Sequence, residues 1–276
     1  TRANNTVPDD CPPEPYVHRY ITVNSLTIDS SDVYDAEMNR ILISNIIGIG
    51  SVNGENIACA VNGEVFETVA DAVLAATSGD VITLMHDIEE NITIPAGKSL
   101  TIEGTGSTIL GGGITVEGNG TEPMTLTLKD LTLDGTKSEG FGLISQNETA
   151  NNQFELSVDL QNVNFQNFEK KAIYLTNAKK FYANNCRITD GATGPMDDPN
   201  TVGDYCIDLN LIAVKDADIK ITSCLFEGKC GHNATIKIAQ RGGPSDQAVG
   251  IPVDATIKNV VVSNCSFTDD DATVNV

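Results

Sequence analysis

The sequence predicts an all-β fold: a right-handed parallel β-helix, a solenoid with a short capping helix at its N-terminal end and an arm ahead of that. Three observations predict it. Five segments repeat one pattern of apolar and polar positions, a further short apolar stretch follows each of them, and the one strong helix signal lies just before the first coils.

The five segments are 126–133, 158–165, 181–188, 219–226 and 260–267, and they align without gaps. Each reads apolar, x, apolar, x, small polar, apolar, x, apolar. Alternation is the mark of a strand with one buried face. The alternation then breaks, because an apolar residue follows the small polar one directly. Two short strands meeting at a bend produce that break. Asp130, Asn162, Asn185, Ser223 and Asn264 occupy the bend. Such residues tolerate left-handed backbone angles and bond locally to the chain. Leu131, Val163, Cys186, Cys224 and Cys265 follow it and are expected to form one inward row, packed as a core stack rather than used as a redox device.

The third strand of each repeat is read at 141–143, 173–175, 207–209, 236–238 and 274–276. The row residues are spaced by 32, 23, 38 and 41 positions. The shortest spacing sets the minimal coil, and the others add loop insertions. Units of this size bury their apolar residues only by stacking on the next unit.

Upstream, 81–84, 92–94 and 100–104 read as the first, less regular coils. A helix is expected over 67–77, with apolar residues at Val69, Ala70, Val73 and Leu74, Thr68 as N-cap and Asp71 in the capping-box position. It would close the first coil against water. Segment 57–66 reads as a hairpin turning at Asn62-Gly63. The expected organisation is an arm with accessory strands over 1–56, hairpin and capping helix over 57–79, and β-helix over 80–276. Within the arm, 9–15 reads as extended, and 20–23 and 41–47 as strands set on the cap.

Composition narrows the partners. The formal net charge is −21 over 276 residues, which argues against nucleic acid or an anionic membrane surface. No apolar run approaches the roughly 20 residues of a membrane helix. Scarce Lys and Arg with many Asn, Thr and Gly suit an extracellular or cell-surface protein. Seven cysteines are too few for a dense disulfide framework and show no zinc spacing. Cys206 and Cys230 each precede a third strand and are candidates for one disulfide, Cys11 and Cys59 for another.

The stretch 65–112, "VFETVADAVLAATSGDVITLMHDIEENITIPAGKSLTIEGTGSTILGG", resembles the N-terminal opening of right-handed parallel β-helix, pectin-lyase-like proteins that bacteria secrete or display. The resemblance covers about residues 57–276 and implies architecture, since the fold hosts lyases, hydrolases and adhesins alike. A polysaccharide hydrolase would pair carboxylates on one sheet face. Asp190, Asp197, Asp198, Asp204 and Asp208 are the nearest candidates. Of the polygalacturonase motifs, the chain offers only Gly231-His232-Asn233 and Ile236-Lys237. A lyase would need Ca²⁺-binding acids and a basic residue, and the repeats contain only Arg187 and Arg241.

The expected function is therefore a non-enzymatic surface protein: adhesin, spacer or self-assembling filament subunit. A carbohydrate-active enzyme is the alternative. No cofactor is expected beyond Ca²⁺, for which Asp269, Asp270 and Asp271 are candidates. A glycan or host-surface ligand would bind at the long insertions, through Asp197, Asp198, Asp204, Arg241 and Asp246, and the same residues except Asp246 are the catalytic candidates on the enzyme reading. Copies of the chain are expected to join head to tail by end stacking or strand addition, with the extended arm as the added strand.

Overall fold

The computed structural model describes residues 33–34, 40–41, 51–52, 55–104, 109–118, 122–137, 140–146, 153–195, 203–241 and 254–269. These residues are mostly strand. Two short antiparallel pairs come first, β1 (Val33–Tyr34) with β2 (Arg40–Ile41) and β3 (Ser51–Val52) with β4 (Glu55–Asn56). A hairpin of β5 (Cys59–Val61) and β6 (Glu64–Phe66) leads into helix α1 (Val69–Ala75).

From there the chain passes back and forth between two parallel sheets. The larger takes β7 (Val81–Leu84), β9 (Leu100–Glu103), β10 (Ile109–Gly111), β12 (Met124–Asp134), β14 (Leu156–Gln166), β16 (Ala178–Asn184), β17 (Arg187–Thr189), β19 (Ala217–Thr222), β20 (Leu225–Gly228), β22 (Ile257–Ser263) and β23 (Ser266–Asp269). The smaller takes β8 (Ile92–Ile94), β11 (Ile114–Val116), β13 (Phe141–Ser145), β15 (Lys171–Leu175), β18 (Tyr205–Leu211) and β21 (Ala234–Gln240). The inward residues of both sheets and of α1 belong to one hydrophobic cluster.

The expected row is present. Leu131 pairs with Val163 directly. Gln161↔Asn184 and Asn164↔Arg187 place Cys186 opposite Val163. Asn184↔Thr222 and Arg187↔Leu225 place Cys224 opposite Cys186. Thr222↔Ser263 and Leu225↔Ser266 place Cys265 opposite Cys224. The first four are buried and Cys265 is half-buried. Asp130, Asn162, Asn185, Ser223 and Asn264 all take left-handed angles, with φ between 51° and 56°. In β12 and β14 the strand runs unbroken through the bend, whereas later passes divide there.

The third strands form the smaller sheet, with Leu143, Ile173, Ile207 and Ile236 in register. The first is two residues out of step with the others: Phe141 faces Lys171, and Leu143 faces Ile173. Segment 274–276 lies outside the described residues, as do 9–15, 20–23 and 42–47.

Helix α1 is shorter than expected, and its ends show why it stops. The Thr68 side chain accepts from Asp71 N, and Thr68 Oγ1 donates to the Asp71 carboxylate at 2.7 Å. Glu90 accepts from the backbone of Val69 and Ala70 at 3.0–3.2 Å. Lys98 Nζ donates to the carbonyls of Val73 and Leu74 at 2.6 and 2.7 Å. An anion at the N-terminus and a cation at the C-terminus match the helix dipole and satisfy groups that no helix bond reaches. The Asn62-Gly63 turn is left-handed at both residues, φ 50° and 87°, as a two-residue hairpin requires. Strand β5 also pairs antiparallel with β7, so the hairpin extends the larger sheet as well as feeding the helix.

Cys59, Cys206 and Cys230 carry no disulfide. Cys230 sits opposite Ala192, and its thiol donates to the carbonyls of Glu227 and Ile188 at 3.3 and 3.7 Å. Cys206 lies inside β18 and packs where a side chain on Gly191 would fall. Cys59 is sealed under α1 with its thiol on Thr68 O, and burial pushes its pKa up to about 12. Cys11 lies outside the described residues.

Candidate functional site

The outer face of the smaller sheet carries one continuous row. Thr93, Thr115, Ile144, Tyr174, Asp208 and Lys237 stand in register across β8, β11, β13, β15, β18 and β21. Their neighbours Ile207 and Leu209 fill the core, so parity alone turns Asp208 outward. Yet Asp208 is only 2% exposed. Other side chains roof it over.

Lys171 supplies the roof. Its Nζ lies 2.6 Å from Asp208 Oδ2 and 2.9 Å from Asp204 Oδ1. Lys237 Nζ stands 3.4 Å from Asp208 Oδ1, an ion pair too long for a strong hydrogen bond, which leaves that oxygen without a bonded donor. Both ammonium groups also ride on aromatic rings: Lys171 over Tyr174 at 4.8 Å and Tyr205 at 5.4 Å, Lys237 over Tyr205 at 4.6 Å. Burial, the largest influence on Lys171, pulls its pKa down. Hydrogen bonds and charge from Asp208 and Asp204 outweigh it, and the net shift is upward. The cluster is thus two acids and two cations closed on one another.

Beside it the face opens. Phe141 stacks on Tyr174 with ring centres 5.9 Å apart, and Lys170 lies over Phe141 at 5.1 Å. Asn91, Thr93, Thr115, Ile144, Phe141 and Lys170 line a shallow groove of about 410 Å³. Rings flanked by hydroxyl, amide and ammonium groups offer stacking and hydrogen bonds to a polar ligand.

The larger sheet has a lesser outer cluster. Tyr182 and Asn259 donate to Asp218, and Lys220 stands 3.3 Å from the same carboxylate. Bonds from Tyr182 first, then Asn259, lower the Asp218 pKa to about 2.

Of the expected site residues, Asp204 joins the Lys171 cluster. Arg241 is half-exposed and its backbone N donates to Leu211 O at 2.8 Å, at the end of β18 away from Asp204. Asp197, Asp198, Asp246, Asp270 and Asp271 lie outside the described residues, and Asp269 is described only as the end of β23. Asp190 has a structural role: its Oδ1 accepts from Lys229 N at 2.9 Å and its φ is 51°. Arg187 is paired with Glu227, and His232 N donates to Gly203 O at 3.0 Å. Among the described residues no group of three His, Cys, Asp or Glu side chains is placed to hold a metal, and no helix is long and apolar enough to cross a membrane.

Sequence reasoning had Asp204 and Asp208 but missed Lys171, Tyr174 and Tyr205. A signal was there: Tyr174, Asp208 and Lys237 are the middle residues of successive third strands, the outward position of each. Comparison with protein-family models, curated proteins and solved structures gives no match.

Proposed function

We propose that the chain is wound as a right-handed parallel β-helix and acts as a non-enzymatic, extracellular surface protein, a rigid scaffold whose side face meets a glycan or host-surface ligand. Alternation of the chain between two parallel sheets, each pass pairing with the last, supports the winding. Its hand follows the general rule for parallel crossovers.

One observation carries the functional reading: where two carboxylates converge on an outer face, they are consumed by the same ammonium group. A glycosidase needs an acid and a second carboxylate open to the sugar, with roughly 5–10 Å between them. Asp208 is 2% exposed and bridged to Asp204 through Lys171. A cluster so closed fixes the sheet and leaves the adjoining aromatic groove to bind. End-to-end contact between copies fits the same reading, because among the described residues the large apolar side chains left exposed lie on α1 and β7 and on β22 and β23.

The test is incubation of the full chain with polyuronates and neutral polysaccharides, following unsaturated product and new reducing ends, beside a glycan-binding screen. No turnover, with glycan binding that weakens in Phe141→Ala, is the expected result. Turnover abolished by Asp208→Asn would establish the carbohydrate-active alternative instead.

A further inference from the structure

We propose that Cys224 and Cys265 are a disulfide-forming pair, an oxidation site that links the last two described passes of the larger sheet. The argument rests on register. Residues 221 and 222 pair with 262 and 263, and 225 to 228 with 266 to 269, so the offset is 41 on both sides of the two cysteines. Cys224 and Cys265 therefore face each other on adjacent strands, with Ser266 N donating to Cys224 O at 2.9 Å.

Their thiols also hold one geometry. Cys224 Sγ donates to Ala183 O and Thr222 O, and Cys265 Sγ to the equivalent Ile221 O and Ser263 O, each pair at 3.6 and 3.3 Å. Adjacent strands lie about 4.8 Å apart, inside the range of about 4.4–6.8 Å that a disulfide spans between Cα atoms.

The third member of the row separates the possible pairs. Cys186 also faces Cys224, but both lie between strands that are paired on both sides and are 3% exposed. Cys265 is half-exposed on β22–β23, an edge with a described strand on one side only. An oxidant in solution meets Cys265 first, and the edge has the freedom to draw in the few tenths of an ångström that a sulfur–sulfur bond asks of an in-register pair.

The chemistry is thiol–disulfide exchange with a small-molecule disulfide, RSSR. The Cys265 thiolate attacks one sulfur, forming Cys265–S–SR and expelling RS⁻, which takes the thiol's proton. The Cys224 thiolate then attacks Cys265 Sγ, forming the protein disulfide and expelling the second RS⁻. Two protein thiols are oxidised and RSSR is reduced to two RSH. Cys224 suits the resolving role: the neighbouring Cys186 thiol is the main cause that lowers its pKa, while burial raises that of Cys265.

The experiment treats the full chain with oxidised glutathione, blocks residual thiols and digests with trypsin. Cys186, Cys224 and Cys265 fall in separate peptides, 181–187, 221–229 and 259–276. The expected product joins 221–229 to 259–276, persists in Cys186→Ser, is lost in Cys265→Ser, and raises the melting temperature by several degrees. A link between 181–187 and 221–229, or Cys265 carrying only glutathione, or no reaction at Cys265, would overturn the proposal.

Discussion

Asn162 donates from Nδ2 to Asp130 Oδ1 at 2.8 Å across two passes of the chain, and each residue holds a left-handed backbone, φ 56° and 51°. Asn185 repeats the contact one pass on, donating to Asn162 Oδ1 at 3.2 Å. The ladder couples the local need for a bend residue to pass-to-pass cohesion. Asn162→Val removes both the bonds and the tolerance for positive φ, and is expected to cost about 2–3 kcal/mol. Asn162→Gly keeps the backbone freedom and should cost about 1 kcal/mol or less. Urea unfolding of both variants measures the difference, and equal losses would refute the conformational share.

The Asp208 cluster predicts an asymmetric response to mutation. Asp208→Ala leaves the Lys171 ammonium, with only 13% of its side chain exposed, on Asp204 alone. A loss of about 2–4 kcal/mol is expected, because an under-paired buried charge costs more than the pair contributes. The double change Lys171→Met with Asp208→Leu removes both charges and should recover most of that loss. The raised Lys171 pKa sets a pH window too. Its contribution is full below the ordinary lysine value of 10.5 and fades as pH climbs above it, so the stability gap between wild type and Lys171→Met should narrow in strong alkali.

Acid acts elsewhere. Burial, the largest single influence on Asp134, opposes its charge. Hydrogen bonds from Thr136, Gln166 and Asn167 together overcome it and hold the pKa near 2. A lowered folded-state pKa gives stability that is present above the ordinary value of 3.8 and is lost as pH falls toward 2. Discounted for the water that reaches this carboxylate, the share is about 1 kcal/mol. Asp134→Asn should flatten the stability–pH curve between those limits, and an unchanged slope would assign acid sensitivity to other groups, Asp218 first.

These residues also show how far the sequence could be read. The bend residues and the inward row were legible because a repeat writes the same physical demand five times, so Asp130 and Asn162 identified themselves by alignment. The Lys171 roof was not legible in that way. Lys171 bonds to Asp204 and Asp208 from 33 and 37 positions away, in a distance set by loop insertions that follow no period. The first third strand was misaligned for a related reason: Phe141-Gly142-Leu143 copies the alternation of Ile173-Tyr174-Leu175, and period two cannot distinguish a two-residue slip. Gly142 marks the true register. A Cβ there would lie 2.5 Å from Ala172 O, so no side chain fits at position 142.

The helix clamp gives a local prediction. Glu90 and Lys98 reach α1 from β8 and β9 territory, 20 to 25 residues along the chain, so they bind the cap to the sheets as well as ending the helix. Glu90→Ala and Lys98→Ala are each expected to cost about 1 kcal/mol. Hydrogen exchange should speed at the amides of α1 before it does at β12 or β14. Uniform acceleration across both would mean that the cap and the sheets open as one unit.

The last prediction concerns the far edge. Val260 and Val262 pair with Ile219 and Ile221, which are fully buried, so all four point into the core by parity. Val260 and Val262 nonetheless remain 45% and 44% exposed, and Phe267, stacked on Phe226, is 43% exposed. They present a cross-section of the core along an edge that pairs with a described strand on one side only, the kind of edge that recruits another strand. Among the remaining exposed large apolar side chains of the described residues, Val261 lies on the same edge, and Leu74 and Val81 lie at the opposite end, on α1 and β7. Contact between unlike ends is heterologous and propagates unless it closes into a ring. The chain should therefore sediment with a mass that rises with concentration. Val260→Lys with Val262→Lys should return it to monomer with little loss of stability, since half-exposed lysines can carry their charge to water. A single monomeric species for the unaltered chain at high concentration would sink the prediction, and so would assembly undiminished by the two lysines.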